Sequence, residues 1–333
     1  MTTDNSNSET VPQVAITGAA GYIGSRVVKL LTDAHPDWNY VALDNFYLGD
    51  VRSIGDVDVR HVDIRHRNRL EAALEGADVV LHLAAISGVD DCQQHQDLAY
   101  DVNVTGTNNV AWFCHKTGAG LVFPFSMAVL GDPTNFPITT ENTRDPFNWY
   151  GRTKLLGERS IESLADNAFP AHLFLKSNLY GKHDIDGQRV SKGTVINFFA
   201  DRATNGEPLT VYEPGTQSRN YVHVDDVARA YVYSTERLLE QLEAGATGVE
   251  KFEIASTEDP SVETVAQRVQ TAAAAVRDVS VDIELVENPR GDDETLVEDF
   301  TVDIGDAKSA LGWEPRHTIE DSIRTLLSKS DSD

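Results

Sequence analysis

The stretch Gln13-Val-Ala-Ile-Thr17-Gly18-Ala-Ala-Gly21-Tyr22-Ile23-Gly24 decides the fold. Gln13–Thr17 reads as a short apolar strand that runs straight into three glycines, and Tyr22–Ala34 carries the apolar period of a helix. Glycines between a strand and a helix allow a tight turn and let backbone N–H groups approach a pyrophosphate at the positive helix end. The next strand, 40–44, ends on Asp44, 20 residues beyond Gly24, with Asn45 after it. A carboxylate there can accept hydrogen bonds from both ribose hydroxyls of an adenosine. It would repel the extra phosphate of NADP, and no arginine stands beside it, so NAD is the expected cofactor.

Outward from this unit the alternation continues. Strands are expected at 57–62, 79–83 and 121–126, and helices at Arg67–Leu74 and 98–116. Trp149–Ala165 and 172–176 form a sixth helix–strand unit. Such β-α-β alternation implies an α/β fold, a doubly wound parallel (Rossmann) sheet with right-handed crossovers. After Asn178 the regularity loosens through 181–193. A helix at 194–204 and a strand at Leu209–Tyr212 follow, and helix 224–239 with strand 252–255 is expected to return to the main sheet. The remaining segments, 262–276, 282–286, 304–311 and 319–327, suit a smaller mixed α/β lobe. The expected organisation is a disordered tail at 1–11 and an NAD-binding domain at 12–177, rejoined by about 222–256. A substrate lobe takes 178–221 and 257–328.

Fifty-three acids against 28 bases give the 333 residues a formal net charge of −25. A surface this negative repels nucleic acid and anionic membrane, so neither is an expected partner. The acids are dispersed, which suits a salt-rich, halophilic cytoplasm where screening quenches self-repulsion. No run reaches the roughly 18 to 20 apolar residues of a membrane helix. MTTDNSNSET lacks a basic-then-apolar signal, so a cytoplasmic location is expected. Cys92 and Cys114 are too few for a disulfide framework. The histidines form no HxH or HExxH cluster, so no metal site is expected.

Tyr150-Gly-Arg-Thr-Lys154 carries the chemistry. Positions i and i+4 share a helix face, so both side chains can enter one pocket. A tyrosine acting as a base near neutral pH needs its pKa lowered by ~3 units, and a lysine ammonium and an oxidised nicotinamide both favour the phenolate. Ser126, ending the fifth strand, can donate to a substrate oxygen that becomes a carbonyl. Asp63 and Ile64 lie past the third strand, where the adenine edge would rest. Leu83, Ala84 and Ala85 end the fourth, where small residues serve either cofactor passage or helix–strand packing.

With these segments in order, the chain resembles the extended short-chain dehydrogenase/reductase family, in its NAD-dependent nucleotide-sugar epimerase/dehydratase branch. The matching stretches include HLAA at 82–85, NVTGT at 103–107, SMAVLG at 126–131, YGRTK, KSNLYG at 176–181, RNYVHVDD at 219–226 and LGWEP at 311–315. The resemblance implies catalytic roles for Ser126, Tyr150 and Lys154, and a role for Asn103 in fixing the tyrosine helix, beside a purely structural hydrogen bond. It further implies that Asn178, Arg219 and Arg290 hold a substrate diphosphate. Tyr212 stacks on the base or else packs in the core, and each arginine has a surface ion pair as its alternative.

The family's dehydratases follow the hydroxyl with Asp-Glu, whereas Met127 and Ala128 follow Ser126 and cannot take a proton. Decarboxylating members carry a glutamate nearby that is missing. The expected activity is 4-epimerisation of a UDP-sugar through a 4-keto intermediate. Two alternatives stay open: an NAD-dependent dehydrogenase or reductase on a sugar or nucleotide sugar, and a non-catalytic binding protein. Leu130 replaces a usual tyrosine and Lys176 a usual arginine. The loop at 87–95, which should face the sugar, carries Asp90, Asp91 and Cys92, so the sugar stays open. Related proteins dimerise through helices matching 98–116 and Trp149–Ala165, so a homodimer is expected.

Overall fold

Most of the β-branched runs of the first half become strands covered on both faces, which is why they read as apolar throughout, whereas VDVRH at 57–61 lies near the sheet edge with Asp58 and Arg60 exposed. In a computed structural model that describes residues 11–289, 291 and 294–328, the strands are β1 (Gln13–Thr17), β2 (Asn39–Asp44), β3 (Ser53–Ile54), β4 (Val57–His61), β5 (Val79–His82), β6 (Gly120–Ser126) and β7 (Pro170–Lys176). Between them lie α1 (Tyr22–Ala34), α2 (Arg67–Leu74), α3 (Val89–Gln94), α4 (Gln96–Tyr100), α5 (Thr107–Thr117) and α6 (Trp149–Ala165). The expected tail falls outside the described residues except for Val11.

The second half contributes β8 (Asn178–Tyr180), β9 (His183–Ile185), β10 (Gln188–Val190), α7 (Val195–Thr204), β11 (Leu209–Tyr212), β12 (Tyr221–His223), α8 (Val224–Glu243) and β13 (Gly248–Ile254). It ends with α9 (Val262–Arg277), β14 (Ile283–Val286), α10 (Gly305–Leu311) and α11 (Ile319–Ser328).

The main sheet has eight strands in the order β13-β7-β6-β5-β1-β2-β4-β3. Every pairing is parallel except the short antiparallel edge β3–β4. Because β1 lies between β2 and β5, the strand order reverses at β1, the place where doubly wound sheets open a crevice. One face is covered by α5 and α6, through Val110, Phe113, Ile161 and Ala165. On the other, α1 and α8 bury Val27, Val28, Leu31, Val227 and Tyr231. A separate core holds the lobe together: Ile196, Phe199, Val265, Val269, Ile323 and Leu327 from α7, α9 and α11.

The helix expected at 98–116 is present but is not α-helical throughout. Asp101–Gly106 takes a wider π-helical turn between α4 and α5. That turn accommodates the buried Asn103, whose Oδ1 accepts from Ile86 N at 2.9 Å and whose Nδ2 donates to Ile86 O at 2.9 Å and Thr153 Oγ1 at 3.1 Å. An internal amide that must meet a neighbouring chain segment overrides the regular period.

Three contacts tie α1 to the second half. The Tyr22 hydroxyl donates to Gly181 O at 2.6 Å, Ser25 Oγ lies 3.1 Å from His183 Nε2, and Arg26 grips Asp225 at 2.6 Å. Among the described residues no helix is long and apolar enough to cross a membrane.

Candidate active site

The parallel strands deliver their C-terminal residues to one edge: Thr17, Asp44, His82, Ser126 and Lys176. Above that edge opens a cavity of about 640 Å³. Gly18, Gly21, Tyr22, Ile23, Gly24, Asp44, Asn45, Ile64, Leu83, Ala84, Ala85, Tyr150 and Lys154 all line it. At one end stands the N-terminus of α1, whose first N–H groups have no intrahelical partner.

Gly18 has φ of +75°, and a Cβ there would fall 2.6 Å from Ala84 N. The small residues just beyond β5 therefore serve close packing against the glycine loop as well as lining the cavity. Asp44 is positioned by two backbone donors, Ala20 N at 3.0 Å and Phe46 N at 2.7 Å. Burial raises its carboxyl, and those N–H groups pull it back. Each oxygen keeps a lone pair for a further donor, which fits a ribose.

Ser126 and Tyr150 meet because α6 begins where β6 ends. Asn148 caps α6 by accepting from Gly151 N at 2.9 Å. A Cβ at Gly151 would sit 2.3 Å from Ala128 O, so only glycine lets the helix start press against the turn after Ser126. On the far side, buried Glu158 is held by Arg144 at 2.8 Å and Lys251 at 2.7 Å, fixing the helix against β13.

Burial pushes the Tyr150 phenol up to about 12, while the Ser126 hydroxyl favours its ionised form. The downward shift expected of a base is therefore not supplied by the polypeptide alone. Lys154 is pushed down by burial to about 8; its Nζ donates to Pro124 O at 3.0 Å and lies 4.6 Å from the Phe123 ring centre. Beneath them His82 bridges Thr17 Oγ1 (2.8 Å) and Thr107 Oγ1 (2.9 Å), and burial drives it down to about 3, a neutral spacer between β1 and α5.

Other expected residues lie elsewhere. Asp63 is off the cavity wall, its carboxylate held by Arg65 at 2.6 Å, and Asn103 sits behind the wall with its amide on protein partners. Neither Asn178, at the start of β8, nor Tyr212, at the exposed end of β11, lines the cavity. Arg219 donates to Ser218 O at 2.7 Å and Thr295 O and pairs with Glu294 at 3.1 Å, also away from the cavity. Arg290 lies outside the described residues.

The wall also includes residues that pattern reading missed: Tyr47 to Asp50 after β2, and Arg189 and Lys192 around β10. Their only signal was position in an irregular stretch. Among the described residues one group, His223, Asp225 and His317, has the spacing of metal ligands. Its carboxylate is already gripped by Arg26 through two nitrogens, at 2.6 and 3.1 Å, which makes it an ion pair and not an open ligand set.

The residues present fit NAD: a glycine turn too tight for a side chain, free helix N–H groups and a carboxylate at the end of β2. Among similar proteins, a putative UDP-glucose 4-epimerase of Methanocaldococcus jannaschii is 27% identical over 94% of this chain and 97% of its own length. UDP-glucuronic acid decarboxylase 3 of Arabidopsis thaliana is 24% identical over 93% of this chain and 86% of its length. The UDP-glucose 4-epimerase of Thermus thermophilus, solved in complex with NAD, shares the fold, with a TM-score of 0.78 at 23% identity over 95% of this chain and 97% of that one. Residues 14–248, well over half the chain, match the NAD dependent epimerase/dehydratase family. The chain therefore belongs to that family and is an NAD-dependent enzyme of the extended short-chain dehydrogenase/reductase type.

Proposed function

We propose that the enzyme inverts C4 of a UDP-sugar through a 4-keto intermediate. The observation that carries this reading is the meeting of Ser126 and Tyr150 at a turn whose next residues, Met127 and Ala128, hold no carboxylate. Dehydration and decarboxylation in this family both call for an acid nearby. The names of the similar proteins, UDP-glucose 4-epimerases and a UDP-glucuronic acid decarboxylase, support a UDP-linked sugar.

When bound, NAD supplies a hydride acceptor and, in its oxidised form, a positive charge. Gly18, Gly21 and the start of α1 would hold its pyrophosphate, and Asp44 its adenosine ribose. Tyr150 takes the proton of the C4 hydroxyl and returns it after the sugar has turned over. Ser126 donates to the same oxygen as it becomes a carbonyl. Burial raises the phenol and the Ser126 hydroxyl opposes it; Lys154, one turn on in α6 and lining the same cavity, is the cation the chain offers toward the base form. Tyr100, Trp112 and Leu156, large apolar side chains exposed on α4, α5 and α6, support a homodimer through these helices. The excess of 53 acids over 28 bases supports work in a salt-rich cytoplasm.

The test is purified enzyme with NAD and a panel of UDP-sugars, with products followed by NMR and reduced nicotinamide by absorbance. A C4 epimer without lasting NADH is the expected result. Stoichiometric NADH with an oxidised sugar would make the chain a dehydrogenase.

A further inference from the structure

In so acidic a chain an ammonium readily finds a carboxylate. Lys29, Lys116, Lys182, Lys251 and Lys308 do, on Asp33, Glu71, Asp201, Glu158 with Glu162, and Glu314. Among the described residues the other three lysines, Lys154, Lys176 and Lys192, have no ion-pair partner, and all three line the cavity. Lys154 belongs to the chemistry above. The other two have no part in it.

Lys176 is the last residue of β7, paired in register with Ser126 of β6. Its Nζ donates only to Ser177 O, at 3.2 Å. Lys192 comes from beyond β10 and donates to Ser87 Oγ at 2.6 Å, on the loop after β5. The groups feel one another: burial and then the charges of Lys192 and Lys154 push Lys176 down to about 7. Burial lowers Lys192 too, opposed by the Asp91 carboxylate. Arg189 also lines the cavity, but Asp184 holds it at 2.6 Å. Ammonium groups gathered out of water with no carboxylate in ion-pair contact are unfavourable until an anion completes them.

The place of these lysines selects the anion. The cofactor's pyrophosphate belongs at the glycine loop. A substrate diphosphate leaves from C1, across the sugar ring from C4, whereas a carboxylate on C5 is the immediate neighbour of the carbon that Ser126 and Tyr150 handle. We propose that Lys176 and Lys192 form an anion subsite for a carboxylate carried by the reacting sugar, so that the preferred substrate is a uronate-type sugar nucleotide and not a neutral hexose. This rests on the nucleotide-sugar reading above.

The experiment titrates the NAD-loaded full chain, carrying Tyr150→Phe to block turnover, with UDP-glucuronate, UDP-glucose and UDP. UDP-glucuronate binds at least about tenfold tighter than UDP-glucose. Lys176→Met and Lys192→Met each remove most of that preference, and Lys→Arg at either position keeps it. Affinity for UDP, unchanged within about threefold, shows that the variants fold. Equal affinity for the two sugars, or a preference that survives both methionine substitutions, overturns the proposal. If NAD binds and no UDP ligand does, the nucleotide-sugar reading fails by itself. The same titration with free glucuronate and glucose 6-phosphate then decides the subsite: lysine-dependent anion binding upholds it, and its absence overturns it.

Discussion

Replacing Asn103 by leucine keeps nearly the same volume and removes both polar ends of a buried amide. In the folded chain Ile86 N–H then loses its acceptor inside the core, where an orphaned donor costs about 1–3 kcal/mol. Ile86 O is less affected, because Cys92 Sγ still approaches it at 3.4 Å. Thr153 Oγ1 still donates to Tyr150 O at 2.9 Å and loses only the amide donor. Each of those lost bonds is worth about 0.5–1.5 kcal/mol, so the total is about 2–4 kcal/mol, allowing for relaxation. An unfolding entropy near 2.1 cal/mol/K per residue gives roughly 0.7 kcal/mol/K for the chain, and hence a drop of about 3–6 °C in Tm. Urea titration and calorimetry read both quantities. The same substitution frees Ile86, which leads into the cavity loop, and Thr153, which precedes Lys154, so kcat falls further than NAD affinity. A stability change under about 0.5 kcal/mol would refute the reasoning, because an amide with three buried partners cannot be removed so cheaply. Loss of NAD binding with stability intact would instead make Asn103 a cofactor contact.

Tyr150→Phe lowers kcat by about 10²–10⁴-fold in the NMR assay while NAD stays bound, and activity within about threefold of the parent would remove Tyr150 from the proton transfer. Asp44→Asn drops the charge and leaves a single oxygen to accept from Ala20 N or Phe46 N; the NAD-over-NADP preference falls by about tenfold or more in fluorescence titration, and an unchanged ratio would exclude Asp44 from cofactor choice. Lys176 titrates at about 7 in the folded chain against an ordinary value of 10.5. The unfolded chain thus binds more protons between those values, the penalty is full below about pH 7, and it fades as pH rises toward 10.5. Lys176→Met therefore raises the Tm of ligand-free protein near about pH 6 and changes it little near about pH 10; equal shifts at both would contradict the assignment.

What was legible in the sequence was whatever repeats with a period or sits in a fixed order along the chain. β1, the glycine loop, α1 and Asp44 form one continuous stretch, and Tyr150 and Lys154 share one helix face. Their convergence with Ser126 follows from strand order alone. β3, with two residues, and β8, β9, β10 and β12, with three each, are too short for any period to show. The π-helical turn at Asp101–Gly106 was hidden because its cause, the backbone of Ile86, is remote in sequence. Arg219 illustrates the same limit: its partner Glu294 is 75 residues away, and no local pattern announces that pair. Nothing in the sequence marks Lys192, since its lack of an ion-pair partner is a property of space and not of neighbours along the chain.

The three contacts that tie α1 to the second half bear on how the protein is made. A nascent chain delivers the glycine loop and its helix well before Gly181, His183 and Asp225, which follow about 158 to 199 residues later. Tyr22 and Ser25 wait for Gly181 and His183, and Arg26 and the apolar side of α1 wait longer still, for Asp225 and α8. The dinucleotide cradle, synthesised well before these partners, is thus finished only after them. Shortened products that stop before Asp225 carry the whole glycine motif without the ion pair that ties α1 to the second half.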